Sequence, residues 1–183
     1  MTLDQRELRD ALGQFPTGVV IVTGIAANGE FVGMTMSSFN SVSLDPPLVL
    51  FSVHKNALSF VHWQSMKHYA INVLGEDQEE LSNRFARAKG DKWQGLKPAK
   101  GKSGMPVIPG ALVTFECEAY ARYEGGDHEI FVGKVVQLHQ NRHEHDHPLI
   151  FAGGRYGKLD KTAHKAPAEI GDLHGWVADL GGM

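Results

Sequence analysis

One cysteine, Cys117, in 183 residues excludes an internal disulfide framework and suits a reducing compartment. No apolar run approaches the roughly 20 residues that a membrane helix needs. There is no excess of positive charge: a net charge of −3 leaves no electrostatic footprint for nucleic acid. The first ten residues, "MTLDQRELRD", are charged from the start, which is unlike a secretory signal peptide. These absences predict a cytoplasmic protein with neither nucleic acid nor membrane as partner. Internal repeats, low-complexity blocks and the G-x-G-x-x-G dinucleotide fingerprint are also missing. What is present is ordinary for a globular chain, 42% hydrophobic and 21% charged, at a length that fits one domain.

Two motifs tempt and fail. "HEHDH" (143–147) satisfies the H-E-x-x-H zinc pattern, which works only on a helix. His147 precedes Pro148, which disfavours helix, so a polar loop is expected and no metal site is assigned. "GLKPAKGKS" has five residues between Gly95 and Gly101 where a P-loop allows four, and no strand precedes it. Cys117 lies in an alternating strand with apolar neighbours, so it reads as a buried inert thiol.

Strand signals dominate. "GVVIVTGI" is an apolar β-branched run, turned by "ANGE" into "EFVGMTM" to give a hairpin. "PLVLFSV", "HYAINVL", "ALVTFECEAYARY", "HEIFVGKVVQL" and "PLIFAGGRYGKL" follow as further strands. "EGGD" turns the fourth of these six runs after "ANGE" into the fifth. In "ALVTFECEAYARY", Val113, Phe115, Cys117 and Ala119 share one face, and Thr114, Glu116, Glu118 and Tyr120 the other. Three short helices are predicted. The first lies near Thr2–Gly13, with Thr2 and Gln5 at capping-box spacing and Leu8, Ala11, Leu12 and Phe15 on one stripe. "NALSFVHW" has Asn56 at an N-cap, and "GEDQEELSNRFARA" has acids first and arginines last. Residues 89–110 read as a Lys/Gly/Pro-rich loop. Helices do not alternate with strands, so the pattern predicts an antiparallel barrel with small peripheral helices rather than a doubly wound sheet.

The most unusual stretch is "GMTMSSFNSVSLDPP". From Phe31 to Leu44 no side chain is charged, yet Thr35, Ser37, Ser38, Asn40, Ser41 and Ser43 all carry hydrogen-bonding groups. Such a segment suits either a half-exposed strand or a flat, neutral ligand rich in acceptors, of which a flavin ring is one. Just downstream, "SVHKNALSF" offers Lys55, Asn56 and Ser59 as an anion site for a ligand's phosphate.

The chain resembles the flavin reductase-like, FMN-binding split-barrel family, the small reductase components of two-component monooxygenases. The resemblance rests on "GMTMSSFNSVSLDPPLVLFSVHKNALS", continued in order by "NVL", "LSNRFA", "GDKW", "GDHEIFVGKV" and "PLIFAGGRYGKL". It spans residues 11 to 159 and leaves 160–183 as an extension without a functional account. It implies a mainly β, antiparallel split barrel that dimerises, with FMN or FAD as flavin and NADH or NADPH as hydride donor. Matched by position, Thr35, Met36, Ser37 and Ser38 would line the ring, and Ser41, Val42 and Ser43 its edge and ribityl chain. Ser52, Lys55, Asn56 and Ser59 would hold the ribityl and phosphate end, and Phe85 would pack near the ring. His128 would sit beside the nicotinamide, with Arg155, Tyr156 and Gly157 close by. Asn56-Ala57 stands where relatives often carry a hydroxyl. The activity implied is NAD(P)H-dependent reduction of flavin for a partner monooxygenase. Alternatives are a flavoprotein passing electrons to another acceptor such as ferric iron, and a non-catalytic flavin-binding module.

Overall fold

The computed structural model describes residues 3–141 and 147–160. Most of the "HEHDH" motif and the extension after Asp160 lie outside these residues. The chain begins with helix α1 (Gln5–Leu12). Its N-cap is Asp4, not the predicted Thr2: the Asp4 carboxylate accepts the N–H groups of Arg6 (2.7 Å) and Glu7 (2.9 Å). A charged acceptor next to the first turn also complements the helix dipole. The helix stops at Gly13, as predicted, and the Gly13 carbonyl accepts the Gly153 N–H at 2.6 Å. It buries none of its residues.

The strands are β1 (Thr17–Gly18), β2 (Val20–Ile25), β3 (Phe31–Met36), β4 (Asn40–Leu44), β5 (Pro47–His54), β6 (His68–Val73), β7 (Ala99–Lys100), β8 (Pro106–Val107), β9 (Val113–Gly125), β10 (His128–Gln140), β11 (Ile150–Ala152) and β12 (Arg155–Gly157). Helices α2 (Phe60–Ser65) and α3 (Glu79–Ala86) interrupt them. Seven strands form one antiparallel sheet in the order β3-β2-β6-β9-β10-β5-β4. Gly29, at φ +85°, makes the predicted turn from β2 to β3. The sheet curls: Val20, Val22, Val32, Met36, Phe51, Val53, Tyr69, Ile71, Cys117 and Phe131, drawn from strands across its width, belong to one core. Phe51 is its hub, stacked on Phe131 (5.3 Å between centroids) and edge-on to Tyr69 (5.1 Å) and Trp63 (6.2 Å). Each such side chain contributes about 1.5–3 kcal/mol by its burial. The edge strands β3 and β4 do not pair with each other, so the barrel is split, as the family resemblance implies.

A second core lies on the outer face of β2 and β6. Val19, Ile21, Leu74, Phe85, Ile108, Ala111 and Leu149 pack there under α3, the segment 93–111 and a small sheet β1-β11-β12. This cover changes the reading of β9. Thr114 and Glu116, on the polar face of the alternation, are both buried. Asn72 Nδ2 donates to the Ile21 carbonyl (2.9 Å) and to Thr23 Oγ1 (3.2 Å). Its Oδ1 accepts the Ile108 N–H (3.0 Å) and the Thr114 hydroxyl (3.1 Å). Glu116 accepts N–H groups of Lys102 (3.0 Å) and Ser103 (2.6 Å), the Ser103 hydroxyl, and His139 Nε2 at 2.5 Å. The segment predicted as loop therefore contains a pinned β7–β8 hairpin. Burial, followed by the charge of Glu116, pushes the Cys117 thiol up to about 12, so this cysteine is inert as predicted.

Candidate functional site

A cleft of about 720 Å³ opens beside the edge strand β3. One wall is β3 itself, from Phe31 to Thr35. The others are Ala57, Leu58, Ser59 and His62 around the start of α2, and Ala86 to Trp93 beyond α3. The α3 segment crosses the free edge of β3. Trp93 Nε1 donates to the Phe31 carbonyl (3.0 Å), and Lys92 Nζ donates to the carbonyls of Gly33 (3.1 Å) and Phe85 (3.0 Å). Those bonds occupy an edge that would otherwise invite a foreign strand. Phe85 fills the space under Gly33, edge-on to Trp93 at 4.9 Å.

Of the residues matched by position, Thr35 and Ser59 line this cleft. Thr35 Oγ1 donates to the Ser82 carbonyl at 2.7 Å, which commits its proton and leaves its lone pairs to accept. Ser59 Oγ accepts the Trp63 indole N–H at 3.0 Å, which leaves its own proton to donate. Met36 points into the barrel core, and Ser37 is exposed just beyond it. Ser38 does not line the cleft: it staples the barrel, accepting the Ser52 N–H (3.0 Å) and donating to the Ser52 carbonyl (3.2 Å). Ser41 and Ser43 are half-buried on β4, with Val42 exposed between them. Phe85 is fully buried behind the wall.

The anion site read from "HKNALS" is built differently. The helix there is only six residues long, begins at Phe60, and receives no side-chain cap from Ser59. Asn56 is exposed, and its N–H donates to His54 Nδ1 at 3.0 Å. The Lys55 ammonium is bonded to the Glu124 carboxylate, and its backbone N–H donates to the Asp127 carbonyl at 2.9 Å. These contacts bring the β9–β10 turn, and with it His128, against the end of β5. His128 Nδ1 donates to Asp127 Oδ1 at 2.7 Å. Asp127 is an exposed carboxylate with no proton to give, so it is the acceptor and the Nδ1 proton belongs to His128. The His54 ring lies 4.9 Å from that of His128, with Nε2 3.7 Å from Asp127 Oδ2.

Arg155 and Gly157 stand on β12, and Tyr156 reaches from it to the Ser82 hydroxyl (2.9 Å) and Asn83 Oδ1 (3.2 Å). Ser82 thus links Tyr156 to Thr35. Reading the sequence missed the basic side chains of the cleft, Arg87, Lys92 and His62. Only the "GDKW" motif signalled Lys92, and nothing in it assigned a role.

The donor set fits a flat ligand with many acceptors and an anionic tail, of flavin size. The cleft has a donating hydroxyl, three basic side chains, and apolar surface from Ala57, Leu58 and Trp93. Its two carboxylates are engaged: Glu30 accepts from Asn28 Nδ2 (2.8 Å) and Asp91 from the Trp93 N–H (3.0 Å).

The chain belongs to the flavin reductase-like domain family, whose model matches residues 12–160. It is 43% identical over 158 residues to an FMN reductase (NADH) of Agrobacterium fabrum, covering 86% of this chain and 88% of that one. Its fold matches the NADH:FAD oxidoreductase of Streptomyces globisporus, solved in complex with NAD and FAD fragments. There the TM-score is 0.81 at 37% identity, over 88% of this chain and 96% of that one. A homologue of nitrilotriacetate monooxygenase component B from Mycobacterium thermoresistibile gives 0.85 at 35% identity, over 95% and 97%.

Proposed function

We propose that the β3 cleft is where NADH or NADPH reduces FMN or FAD, and that the reduced flavin leaves for a partner monooxygenase. The observation that carries the reading is the cleft itself, whose hydroxyl, cations and apolar wall suit a flavin, in a chain of the flavin reductase-like family. When bound, the flavin accepts hydride from the reduced nicotinamide, so the chain supplies placement and electrostatics. Thr35 and Ser59 orient the ligand by one acceptor and one donor. Leu58, Arg87 and Gly90 are exposed at the mouth, which suits a flavin that exchanges with solvent. Asp127 fixes the His128 tautomer and leaves its Nε2 to meet the nicotinamide.

Steady-state assays with NADH and NADPH against FMN, FAD and riboflavin test the activity. Turnover with none of these pairs would overturn it. His128→Ala is expected to spare flavin affinity and slow the reductive half-reaction roughly tenfold to a hundredfold. Anaerobic stopped-flow bleaching of the flavin measures this, and an unchanged rate across NADH concentrations removes His128 from the site.

The functional unit is a homodimer. Leu3, Leu8, Leu12 and Phe15 form an apolar stripe that no other described residue buries, with Phe15 76% exposed. An amphipathic helix that buries nothing of its own needs another surface. Sedimentation should give twice the 20.1 kDa chain mass, and Leu12→Glu with Phe15→Glu should shift it toward monomer. A wild-type monomer with full activity would refute the dimer.

A further inference from the structure

We infer that Lys92 makes the cleft prefer a flavin in its reduced, anionic form, its ammonium complementing negative charge on the ring rather than on the phosphate. This rests on the reading of the cleft as a flavin site.

Lys92 is fixed from two sides. Its Nζ bonds the Gly33 carbonyl of β3 and the Phe85 carbonyl at the end of α3, at 3.1 and 3.0 Å. An ammonium has three protons, and the third meets no acceptor among the described residues. No carboxylate among them is ion-paired with it either. Glu30 and Asp91, which share the cleft, are taken by Asn28 and by the Trp93 N–H. Lys92 is half-buried, and this burial lowers its pKa, the direction expected of a cation short of compensation. A half-buried ammonium whose own hydrogen bonds go to neutral carbonyls keeps one proton to offer, and an anion placed against β3 takes it.

The position selects which anion. Gly33 and Thr35 are two apart on β3 and so present their carbonyls along the same edge. Lys92 is thus attached to the strand wall that Thr35 also forms. Ser59 and His62, the donors suited to a phosphate, come instead from the α2 wall. The oxidised flavin ring is neutral, whereas the fully reduced ring loses a proton near neutral pH and becomes an anion. A fixed ammonium on the ring side therefore separates the two oxidation states, and it makes acceptance of hydride more favourable.

The test uses riboflavin, which has the ring without the phosphate, and FMN. Each is titrated anaerobically, oxidised and chemically reduced, against the purified wild-type protein, Lys92→Met and Lys92→Arg. Wild type is expected to bind reduced riboflavin on the order of tenfold or more tighter than oxidised, the scale of one charge-assisted contact. Lys92→Met should bring the two affinities to within about threefold of each other, and Lys92→Arg should restore most of the difference. Equal losses for both oxidation states would reduce Lys92 to a strut between β3 and α3 and overturn the proposal. A loss confined to FMN would assign it to the phosphate and overturn it too. If Lys92→Met does not fold, the wild-type ratio still decides, because tighter binding of oxidised riboflavin contradicts the inference. A wild type that binds no flavin in either state removes the underlying site reading, which is a different failure.

Discussion

Phe85→Ala is expected to lower the stability of the protein by about 3–5 kcal/mol and to abolish flavin binding with it. Phe85 is fully buried, and its ring occupies the space that Gly33 leaves by having no side chain. A Cβ built on Gly33 would lie 2.4 Å from Phe85 Cε1, 2.6 Å from Cδ1 and 3.2 Å from Trp93 Cζ2. Strand, ring and indole are therefore one packed unit, and the cleft wall stands on it. Removing the ring leaves a cavity directly under β3 and frees Trp93 from its edge-on neighbour. Gly33→Ala alone should cost about 1–3 kcal/mol by overpacking. The double variant should cost less than the sum, since the new methyl group enters the vacated space. Urea unfolding of the four proteins measures the coupling. Strict additivity, or a Phe85→Ala variant within 1 kcal/mol of wild type (a small fraction of the ~3–5 kcal/mol of such truncations), would show that the unit is not packed this way.

The second large effect lies at Glu116. Its alanine variant should lose about 3–5 kcal/mol, the usual scale for breaking a buried charged network from one side. The groups left behind are the Lys102 and Ser103 N–H groups, the Ser103 hydroxyl and His139. Burial pushes the Glu116 carboxyl up. Hydrogen bonds from the Ser103 hydroxyl, His139 and the two backbone N–H groups outweigh it, and bring the value down from 4.5 to about 2. A carboxyl whose folded value lies below its unfolded value stabilises the fold above the unfolded value. That contribution is lost as pH falls toward the folded one. Wild type should therefore lose stability on acidification from about pH 5 to about pH 2, with Glu116 accounting for on the order of 3 kcal/mol. Glu116→Gln should start less stable and show a flatter profile in that window. Parallel profiles for the two proteins would assign the acid sensitivity to other carboxylates.

These two sites were unequally legible. Phe85 stands in a motif that the sequence offers openly, but its partner Gly33 reads as one glycine in a hairpin strand. Only the approach of α3 shows why a side chain is excluded there. Glu116 reads as a polar residue on the outward face of an alternating strand. The alternation is real, yet the outward face of this half of β9 is roofed by the 99–111 segment. Alternation reports which residues share a face and says nothing about what covers it.

The hydroxyl run divides in the same way. Thr35 faces the cleft, while Ser38 serves the backbone of Ser52, 14 residues on. A hydroxyl satisfies a ligand or a main chain with the same chemistry, and a local sequence cannot say which is in reach. Lys55 looks like a phosphate anchor until Glu124, 69 residues later, comes to meet it. Lys92, which has no such partner among the described residues, sat unassigned in "GDKW".

The sequence by itself determined the strands, their turns and an antiparallel barrel, because those rest on periodicity and turn residues, and its ordered motifs carried the family resemblance that implied the split. It also singled out the uncharged stretch around Thr35, of which Thr35 lines the cleft. Tertiary structure alone decided which cations face the cleft, which hydroxyls are already spent on the backbone, and which polar residues are buried. Each of those depends on a partner far away in the chain, and the distance between two side chains is set by the packing of the sheet rather than by their separation in sequence.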